Sequence, residues 1–451
     1  MSRVVVPTGA LSALCLLLAG ACTPEPDGEG PTTDPTDGTV PTETSSTPTS
    51  STTLDTKDRE EDISLTASVQ LASEIDDSAP TTVGIVTFEV SVPIDAARIE
   101  FGLAGAFDRA APVDLTGDTP RAMLIGMKPE TTYEWRVVYA SADVVRQGPT
   151  ETVTTGALPD DVPAPTVERS EGSEPGFLVV SEWRRGRNED PYVYILDPDG
   201  DVVWWYQSRL TGPCAARISE GGQSLWILTP NNSGAEIERV RMDTLDNRVW
   251  SGLGATHDLV TMPGDDCAIF IAYNEQDDLY QLCAGDESPT VVSNVGSQGG
   301  TARHLNAIRY DAEEDLLITS DVSTALYGVE PDTGDVIWQL PSSRWGGRQH
   351  AMHLLEGSIL VFANNGGPSN TSAIVELDRT EFREIWSVDL GVSVPNLGDV
   401  QRLPGGNTLV HLSGVGGIVE IAPDGSVVSE VDTFAGYGFW MQDLYQIEPR
   451  P

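Results

Sequence analysis

Residues 334–362, GDVIWQLPSSRWGGRQHAMHLLEGSILVF, contain two sequence marks that recur along the C-terminal part of the chain. The first mark is the GDVIW run that ends at Trp338, and its counterparts end at Trp204, Trp250, Ser293, Trp386 and Ser429. Successive ends are 46, 43, 45, 48 and 43 residues apart. The second mark is the glycine turn of LLEGSILVF, which returns in ISEGGQSLWIL, MPGDDCAIF and LPGGNTLVHL. This part of the chain is therefore interpreted as six repeats of about 45 residues.

Each repeat contains only short runs of strand-forming residues separated by turn residues. A repeat of this length made of strands alone is typical of one four-stranded blade of a β-propeller. The sequence thus predicts an all-β fold with a six-bladed β-propeller over residues 176–451. The tryptophans of the first mark are predicted to pack between blades. The last segment, GYGFWMQDLYQI at 436–447, is predicted to complete the first blade and close the ring.

Two segments precede any predicted domain. Residues 1–22, MSRVVVPTGALSALCLLLAGAC, contain one arginine, an apolar run and a small-residue site, which is typical of a secretory signal peptide. The residues before Cys22 resemble a lipoprotein cleavage site, although Ala19 stands where a leucine is usual, so we expect lipidation of Cys22, with plain secretion as the alternative. Residues 23–59 are rich in Thr, Ser, Pro and Asp and are predicted to be a disordered linker. We expect an exported protein of the cell envelope, in the periplasm or on the outer surface, that contacts the membrane only through a lipid anchor.

Residues 60–157 alternate apolar and polar residues in short runs, which predicts a β-sandwich, and residues 158–175 are predicted to be a linker. The segment MKPETTYEWRVV (127–138) resembles the Leu-x-Pro-x-Thr-x-Tyr motif of fibronectin type III domains, with Met127 in place of the leucine. The resemblance implies a fibronectin type III-like domain in which Tyr133 forms the tyrosine corner. Because no group of acids, bases or nucleophiles marks this segment, we expect it to act as a spacer or as a packing domain.

The composition excludes one class of partner. The chain has 69 Asp and Glu residues against 26 Lys and Arg residues, so it is strongly acidic and we expect it not to bind nucleic acid. Cys267 and Cys283 flank AIFIAYNEQDDLYQL, which is predicted to be a β-hairpin. A cross-strand disulfide and two buried thiols are both consistent with this pattern.

Histidines supply the main functional clue. The chain has only five, and His257, His304 and His350 occupy similar points in three consecutive repeats, 47 and 46 residues apart. Because the first strand of each blade lines the central channel, we predict that these imidazoles meet at one mouth of the channel; the alternative is that unrelated histidines share a phase. His353 is predicted to be structural, and His411 is predicted to lie in a second strand away from the mouth. Neutral imidazoles act as nucleophiles, bases or metal ligands, and a three-histidine zinc site remains an alternative.

The segments around these histidines resemble the bacterial arylsulfotransferase family, the PAPS-independent aryl-sulfate sulfotransferases. The similar segments are THDLVTMPGD (256–265), RHLNAIRYD (303–311), RQHAMHLLEGSILVFANNG (348–366) and QRLPGGNTLV (401–410), within a resemblance that covers residues 176–445. The resemblance implies transfer of a sulfuryl group from a small phenolic sulfate to a phenol through a sulfohistidine, without a metal or dissociable cofactor. It implies that His350 is the nucleophile and that His257 and His304 bind sulfuryl oxygens or move the phenol proton.

Three further residues, Asn306, Arg303 and Arg348, are expected to bind the substrate. Asn306 lies two residues after His304, on the same strand face, and is expected to support it. In LLITSDVSTAL (316–326), Asp321 stands where the family has an arginine, and a carboxylate repels the negative charge of a sulfuryl group. Arg303 or Arg348 is expected to supply the missing positive charge to the substrate. If neither does, the alternative function is a non-catalytic cell-surface propeller that binds an aromatic, glycan or protein ligand.

Overall fold

The structure, a computed structural model, describes residues 63–445 with gaps at 143, 184–190, 209–211, 213, 231–235, 265, 274–276 and 299–303. The predictions for the signal peptide, for lipidation of Cys22 and for the linker over residues 23–59 lie outside the described residues. Among the described residues, no helix is long and apolar enough to cross a membrane. The regular secondary structure of the described residues is almost all β-strand, as the sequence predicts.

Residues 65–154 form an N-terminal sheet of eight strands. The order is β1-β2-β5-β4-β3-β6-β7, and β8 pairs with β6. The strands are β1 (Leu65–Leu71), β2 (Gly84–Val90), β3 (Ala96–Gly102), β4 (Arg109–Asp114), β5 (Arg121–Leu124), β6 (Thr132–Ser141), β7 (Val144–Gln147) and β8 (Glu151–Thr154), with the short helix α1 (Ala72–Ile75) after β1. The backbone N–H of Lys128 donates a hydrogen bond to the hydroxyl of Tyr133 at 3.0 Å, which is the contact of a tyrosine corner. The likeness to fibronectin type III domains stays a prediction.

Six further sheets are the blades of a β-propeller, and the prediction of six blades is confirmed. Five of these sheets have four strands. Blade 6 has a fifth strand, because β9 (Thr166–Arg169) pairs with β32 (Val427–Asp432). The strand β9 lies within the segment predicted to be a linker. The strands are given from the inside of the ring to the outside. Blade 1 contains β33 (Phe439–Met441), β10 (Phe177–Ser181), β11 (Tyr192–Leu196) and β12 (Val202–Gln207); blade 2 contains β13 (Ala215–Ile218), β14 (Ser224–Thr229), β15 (Glu236–Arg241) and β16 (Asn247–Ser251); and blade 3 contains β17 (Ala255–Thr261), β18 (Cys267–Tyr273), β19 (Asp277–Cys283) and β20 (Thr290–Ser293). Blade 4 contains β21 (Leu305–Asp311), β22 (Leu316–Asp321), β23 (Ala325–Val329) and β24 (Val336–Pro341); blade 5 contains β25 (Gln349–Leu355), β26 (Ser358–Ala363), β27 (Ala373–Asp378) and β28 (Glu384–Asp389); and blade 6 contains β29 (Asp399–Arg402), β30 (Thr408–His411), β31 (Ile418–Ile421) and β32 (Val427–Asp432). A short helix α2 (Val295–Gln298) and 3-10 turns at Glu220–Gly222, Ser342–Arg344 and Pro368–Asn370 lie between strands.

The two ends of the propeller segment close the ring, as predicted for the C-terminal segment. The strand β33 pairs antiparallel with β10, with Phe177 opposite Met441, and supplies the innermost strand of blade 1. The first blade therefore combines strands that lie more than 200 residues apart in the sequence.

Three of the four repeated tryptophans donate a hydrogen bond to the neighbouring blade, which explains why they recur with the blade period. The indole N–H of Trp204 donates to the carbonyl of Met242 in blade 2 at 2.9 Å. Trp250 donates in the same way to Asp286 of blade 3 at 2.9 Å, and Trp386 to Pro423 of blade 6 at 3.0 Å. Tryptophan is suited to this position, because its large ring packs against apolar side chains while its N–H donates a hydrogen bond to a backbone carbonyl.

The N-terminal sheet docks on one end of the propeller. Lys128 contacts Asp197, Asp199 and Asp201 in the turn between β11 and β12, with Nζ at 3.3, 2.5 and 2.7 Å from their carboxylates. The hydroxyl of Tyr445, which follows β33, accepts the N–H of Ile125 at 2.9 Å. In a blade, the turn between third and fourth strands lies at the same end as the finish of the innermost strand. The opposite end of the ring, where the innermost strands begin, is therefore not the end that this sheet contacts.

Candidate active site

Three innermost strands begin with a β-bulge at the end of the ring away from the N-terminal sheet. The pairing register shifts between Thr256 and Leu259 in β17, between Leu305 and Ala307 in β21, and between Gln349 and Ala351 in β25. A bulge leaves residues unpaired and re-aims their side chains. These shifts determine where the predicted histidines point.

The three histidines occupy different positions relative to the bulges. His350 and His257 are themselves residues that the register skips, and His257 has the left-handed φ of 59°. His304 directly precedes β21, where the skipped residue is Asn306. His350 is therefore equivalent in register to Asn306 rather than to His304, and the shared phase expected from the sequence holds only to within about two residues.

All three imidazole rings nevertheless meet at one mouth of the channel. Nε2 of His257 lies 3.3 Å from Nε2 of His304, and their ring centroids are 4.9 Å apart. The ring of His350 lies 6.2 Å from that of His257, centroid to centroid. His350 is only 3% exposed, whereas His257 is half-buried and His304 is exposed. The cluster thus runs from a buried ring to one in contact with solvent.

Asn364 defines the hydrogen-bonding state of the His350 ring. Its Oδ1 lies 2.6 Å from Nδ1 of His350. Its Nδ2 donates to the carbonyls of Val394 and Leu397, both at 2.8 Å, so the oxygen is the end that faces the ring. Nδ1 of His350 therefore carries the hydrogen and Nε2 carries the lone pair. Sequence reasoning missed Asn364, although it stands 14 residues after His350 across the β25–β26 hairpin, in the quoted ANNG.

Burial keeps two of the imidazoles neutral near pH 7. Burial lowers the pKa of His350 to about 4; the hydrogen bond with Asn364 opposes this shift, and electrostatic interaction with His304 and Arg348 adds to it. Burial also lowers the pKa of His257 to about 3, and electrostatic interaction with the His350 and His304 imidazoles lowers it further. A neutral imidazole is the form that acts as nucleophile or base.

Asn306 has a different role from the one expected. Its Nδ2 donates to the carbonyl of Gln349 at 2.6 Å, and its Oδ1 accepts the hydroxyl of Ser320. These contacts hold the start of β25, next to His350, instead of the ring of His304. The bulge at Asn306 turns its side chain away from the strand face that a regular strand would share with His304.

Asp321, which stands where the family has an arginine, is a backbone-binding residue. Its carboxylate accepts the N–H of His304 at 2.9 Å, and those of Ser323 and Thr324, both at 3.1 Å. The side chain is 2% exposed. This carboxylate therefore holds the backbone of His304 and the β22–β23 turn.

Of the two arginines expected to bind substrate, Arg303 lies outside the described residues. Arg348 is exposed and lies two residues before His350. Its backbone N–H donates to Oδ1 of Asn365 at 2.7 Å, and its charge acts on the His350 ring. In the part of the chain that the structure describes, no group of three or more His, Cys, Asp or Glu side chains is arranged to hold a metal ion.

A buried ionic network lies across the channel, and sequence reasoning did not anticipate it. Arg309 of blade 4 contacts Asp258 of blade 3 and lies 2.5 Å from Asp399 of blade 6. Arg217 of blade 2 lies 3.1 Å from Asp258 and 3.9 Å from Asp399. All four side chains are at most 11% exposed, and their formal charges cancel. Buried charges that are paired in this way tie four blades together around the channel.

Two cysteine sites differ in their distance from the mouth. The thiol of Cys214 donates to the carbonyl of His257 at 2.7 Å and so contacts the strained bulge directly. Cys267 and Cys283 form a disulfide across β18 and β19, one of the two arrangements that the sequence left open. The disulfide lies at the start of β18, whereas the bulge that contains His257 lies opposite Phe270 and Ile271 in the second half of that strand, so the disulfide is remote from the histidines.

Comparison with known families singles out the same region. Residues 267–434 match the arylsulfotransferase (ASST) family model. The arylsulfotransferase match contains His304, His350 and Asn364, and His257 lies ten residues before it. A search of the curated proteins finds no match for the chain.

Solved structures resemble the chain only distantly. A protein of unknown function from Bacteroides caccae shares 14% identity at a TM-score of 0.43, covering 60% of this chain and 100% of that chain. TolB from Acinetobacter baumannii shares 12% identity at a TM-score of 0.45, covering 70% of this chain and 80% of that chain. Similarities at this level carry no functional argument, so the arylsulfotransferase match is the comparison on which function rests.

Proposed function

We propose that this protein is an aryl-sulfate sulfotransferase that moves a sulfuryl group from a phenolic sulfate to a phenol through Nε2 of His350. The observation that carries the proposal is the 2.6 Å contact between Nδ1 of His350 and Oδ1 of Asn364, because it leaves a lone pair on Nε2. The arylsulfotransferase match supports the same reaction class and does not favour the alternative of a non-catalytic binding propeller.

In the first half-reaction, the lone pair of Nε2 attacks the sulfur atom of the phenolic sulfate. The S–N bond forms as the bond between sulfur and the phenolic oxygen breaks, and the leaving phenolate takes a proton from the imidazolium form of His304, because the lowered pKa of His257 keeps that ring neutral. The His350 ring keeps its hydrogen on Nδ1, so it becomes a cation that still donates to Asn364. The sulfuryl group is then held as a sulfohistidine.

In the second half-reaction, an acceptor phenol gives its proton to the histidine that donated one before. The phenol oxygen attacks sulfur, the S–N bond breaks, and its electron pair returns to Nε2. One sulfate ester is consumed, another is formed, and the protein is restored, so the reaction needs no dissociable cofactor. We assign the proton transfers to His304 because it is exposed at the mouth, and Nε2 of the neutral His257 lies 3.3 Å from its Nε2 and accepts its hydrogen.

Charge at the mouth favours a sulfuryl group despite the Asp321 substitution. The Asp321 carboxylate is engaged by backbone N–H groups of three residues, so it does not face the substrate as a free negative charge. We assign Arg348 to the sulfuryl oxygens, because it is exposed at the mouth and its charge already acts on His350. A guanidinium binds such oxygens through charge-assisted hydrogen bonds.

The test uses 4-nitrophenyl sulfate as donor and phenol as acceptor, with His350→Ala as the variant. We expect the wild type to release nitrophenol and form phenyl sulfate, and His350→Ala to lower kcat/KM by at least about 10³-fold. His353→Gln is the matched control, since His353 lies on the same strand and accepts the backbone N–H of Arg402 at 2.9 Å. With donor alone, mass spectrometry is expected to find one sulfuryl group on the peptide of His350. Transfer at the wild-type rate by His350→Ala overturns the proposal.

On the sequence pattern alone, we also propose that the enzyme is exported and lipid-anchored through Cys22. The test is incorporation of a labelled fatty acid in a bacterial host. We expect labelling of the wild type and none of Cys22→Ala, whereas equal labelling of both contradicts the anchor.

A further inference from the structure

We infer that Asn364 is a positioning residue that selects the tautomer of His350, and that the loop over residues 390–398 holds Asn364 in the orientation that does so. The inference rests on the proposed function, because the tautomer matters to the reaction only if His350 is the nucleophile. It adds a residue and a loop that contact neither donor nor acceptor.

The orientation of the Asn364 amide follows from its three partners. The side chain is buried, at 4% exposure, and its Nδ2 donates to two carbonyls, those of Val394 and Leu397. Turning the amide over would direct its oxygen at both carbonyls and its NH₂ group at Nδ1 of His350. Two hydrogen bonds would be lost and buried oxygens would face one another, so the amide has one favourable orientation.

The loop that supplies these carbonyls is itself held by Ser372. The Ser372 hydroxyl donates to the carbonyl of Asn364 at 2.8 Å and accepts the N–H of Val394 at 2.9 Å. Its backbone N–H donates to the carbonyl of Val392 at 2.8 Å. Gly398 closes the loop at φ 102°, where a Cβ would lie 2.3 Å from the ring of Phe362. The carbonyls of Val394 and Leu397 are therefore fixed relative to β26.

The selected tautomer is the one that the reaction requires. A neutral imidazole has one N–H and one lone pair, and an oxygen acceptor at Nδ1 stabilises the form with hydrogen on Nδ1. The other tautomer would direct its lone pair into the β25–β26 hairpin and an N–H towards the mouth, where it cannot attack sulfur. The same contact stabilises the cationic ring of the sulfohistidine, because the Nδ1–H donates more strongly when the ring is charged.

The first test reads the tautomer directly, without any need for activity. In full-length protein labelled with ¹⁵N-histidine, we expect the ¹⁵N chemical shifts of His350 at pH 7 to report hydrogen on Nδ1 and a lone pair on Nε2. His350→Gln identifies the signal by its loss. Hydrogen on Nε2 in the wild type overturns the inference, even if the protein transfers sulfuryl groups.

The second test uses two variants of Asn364. Asn364→Leu removes the acceptor at similar volume, and we expect a mixture of tautomers and a fall in kcat/KM of at least about 10-fold, with less change in KM than in kcat. Asn364→Asp keeps an acceptor, so we expect it to retain the Nδ1–H tautomer and to move the acidic limb of the pH profile upwards, because a carboxylate favours the charged imidazole. An unchanged acidic limb in folded Asn364→Asp, or a wild-type tautomer in Asn364→Leu, contradicts the positioning role.

The outcomes separate this inference from the proposed function. If the wild type shows the Nδ1–H tautomer but His350→Ala still transfers sulfuryl groups, the proposed function fails and the role of Asn364 in selecting the tautomer stands. If His350→Ala is inactive and the wild type shows hydrogen on Nε2, the proposed function stands and the role of Asn364 fails.

Discussion

Nε2 of His257 lies 3.3 Å from Nε2 of His304, although the two residues are 47 positions apart and belong to different blades. Two lone pairs at this separation would repel, so one nitrogen carries a hydrogen and the other accepts it. The pair thus holds one hydrogen between two blades, beside the ring of His350 in a third. This arrangement supplies both a proton donor and a proton acceptor without any movement of the backbone.

Arg348 is predicted to bind the sulfuryl oxygens of the donor. We expect Arg348→Ala to lower kcat/KM for 4-nitrophenyl sulfate by about 10- to 100-fold, the value of one or two hydrogen bonds to a charged group. Added salt should lower kcat/KM of the wild type more than that of the variant, because Arg348 is exposed and its charge is screened by salt. Arg344→Ala is the control, since Arg344 is an exposed arginine in the turn before β25. An equal loss in both variants would assign the effect to the general charge of this surface.

The acidic limb of the pH profile is predicted to lie lower than for an ordinary imidazole. Because the pKa of His350 is lowered to about 4, its neutral form persists well below the usual value of 6.5. We expect kcat/KM to change little between about pH 7 and 5 and to fall as the ring gains a proton near pH 4. Circular dichroism at each pH checks that the fold persists. A decline centred near 6.5 in folded protein would contradict a buried nucleophile.

The stability of the protein is predicted to fall in mild acid, in part through His411. Burial lowers the pKa of His411 to about 3, and both of its ring nitrogens are buried without a hydrogen-bond partner among the described residues. Between that value and 6.5 the unfolded chain binds a proton that the folded protein does not, so stability rises with pH across this window. We expect the Tm of the wild type to drop more between pH 7 and 5 than that of His411→Leu. An equal drop in Tm in both proteins would contradict a contribution of His411 to the loss of stability in acid.

Lys128 is predicted to stabilise the contact between the N-terminal sheet and blade 1. Lys128→Met leaves the three carboxylates of the 197–201 turn facing one another, and we expect the free energy of unfolding to fall by about 1.5–3 kcal/mol. Arg383→Met is the control, because Arg383 is 73% exposed and pairs with Glu381 at 2.8 Å. Such surface pairs contribute about 0–1 kcal/mol. Urea unfolding measures both, and equal losses would mean that Lys128 acts only as a surface charge.

The disulfide is predicted to contribute to stability and not to activity. Its two cysteines are 16 residues apart, and closing a loop of that size stabilises by about 3 kcal/mol. We expect the Cys267→Ser/Cys283→Ser double variant to unfold at lower urea concentration while its kcat/KM stays at the wild-type value. Loss of activity in the folded double variant would show that blade 3 transmits the change to His257.

The fold could be predicted because its evidence is local and repeated. A strand, a turn and a buried tryptophan each depend on neighbouring residues, and six copies at a period near 45 residues leave few architectures open. The convergence of His257, His304 and His350 followed from the same period. The role of Asn306 did not, because a bulge of one residue reverses a side chain, and sequence spacing does not resolve one residue.

What the sequence determined by itself was therefore the number of blades, the closure of the ring and the strands that carry the histidines, since these follow from short-range pattern and its repetition. Only the tertiary structure decided which nitrogen of His350 holds the lone pair, where the Asp321 carboxylate is engaged, and that Arg309 and Asp399 neutralise each other in the channel. Those features depend on contacts between side chains and backbone groups that lie up to 90 residues apart, at distances of a few ångströms. The spacing of the repeats varies by several residues, so it carries no information about contacts of a few ångströms.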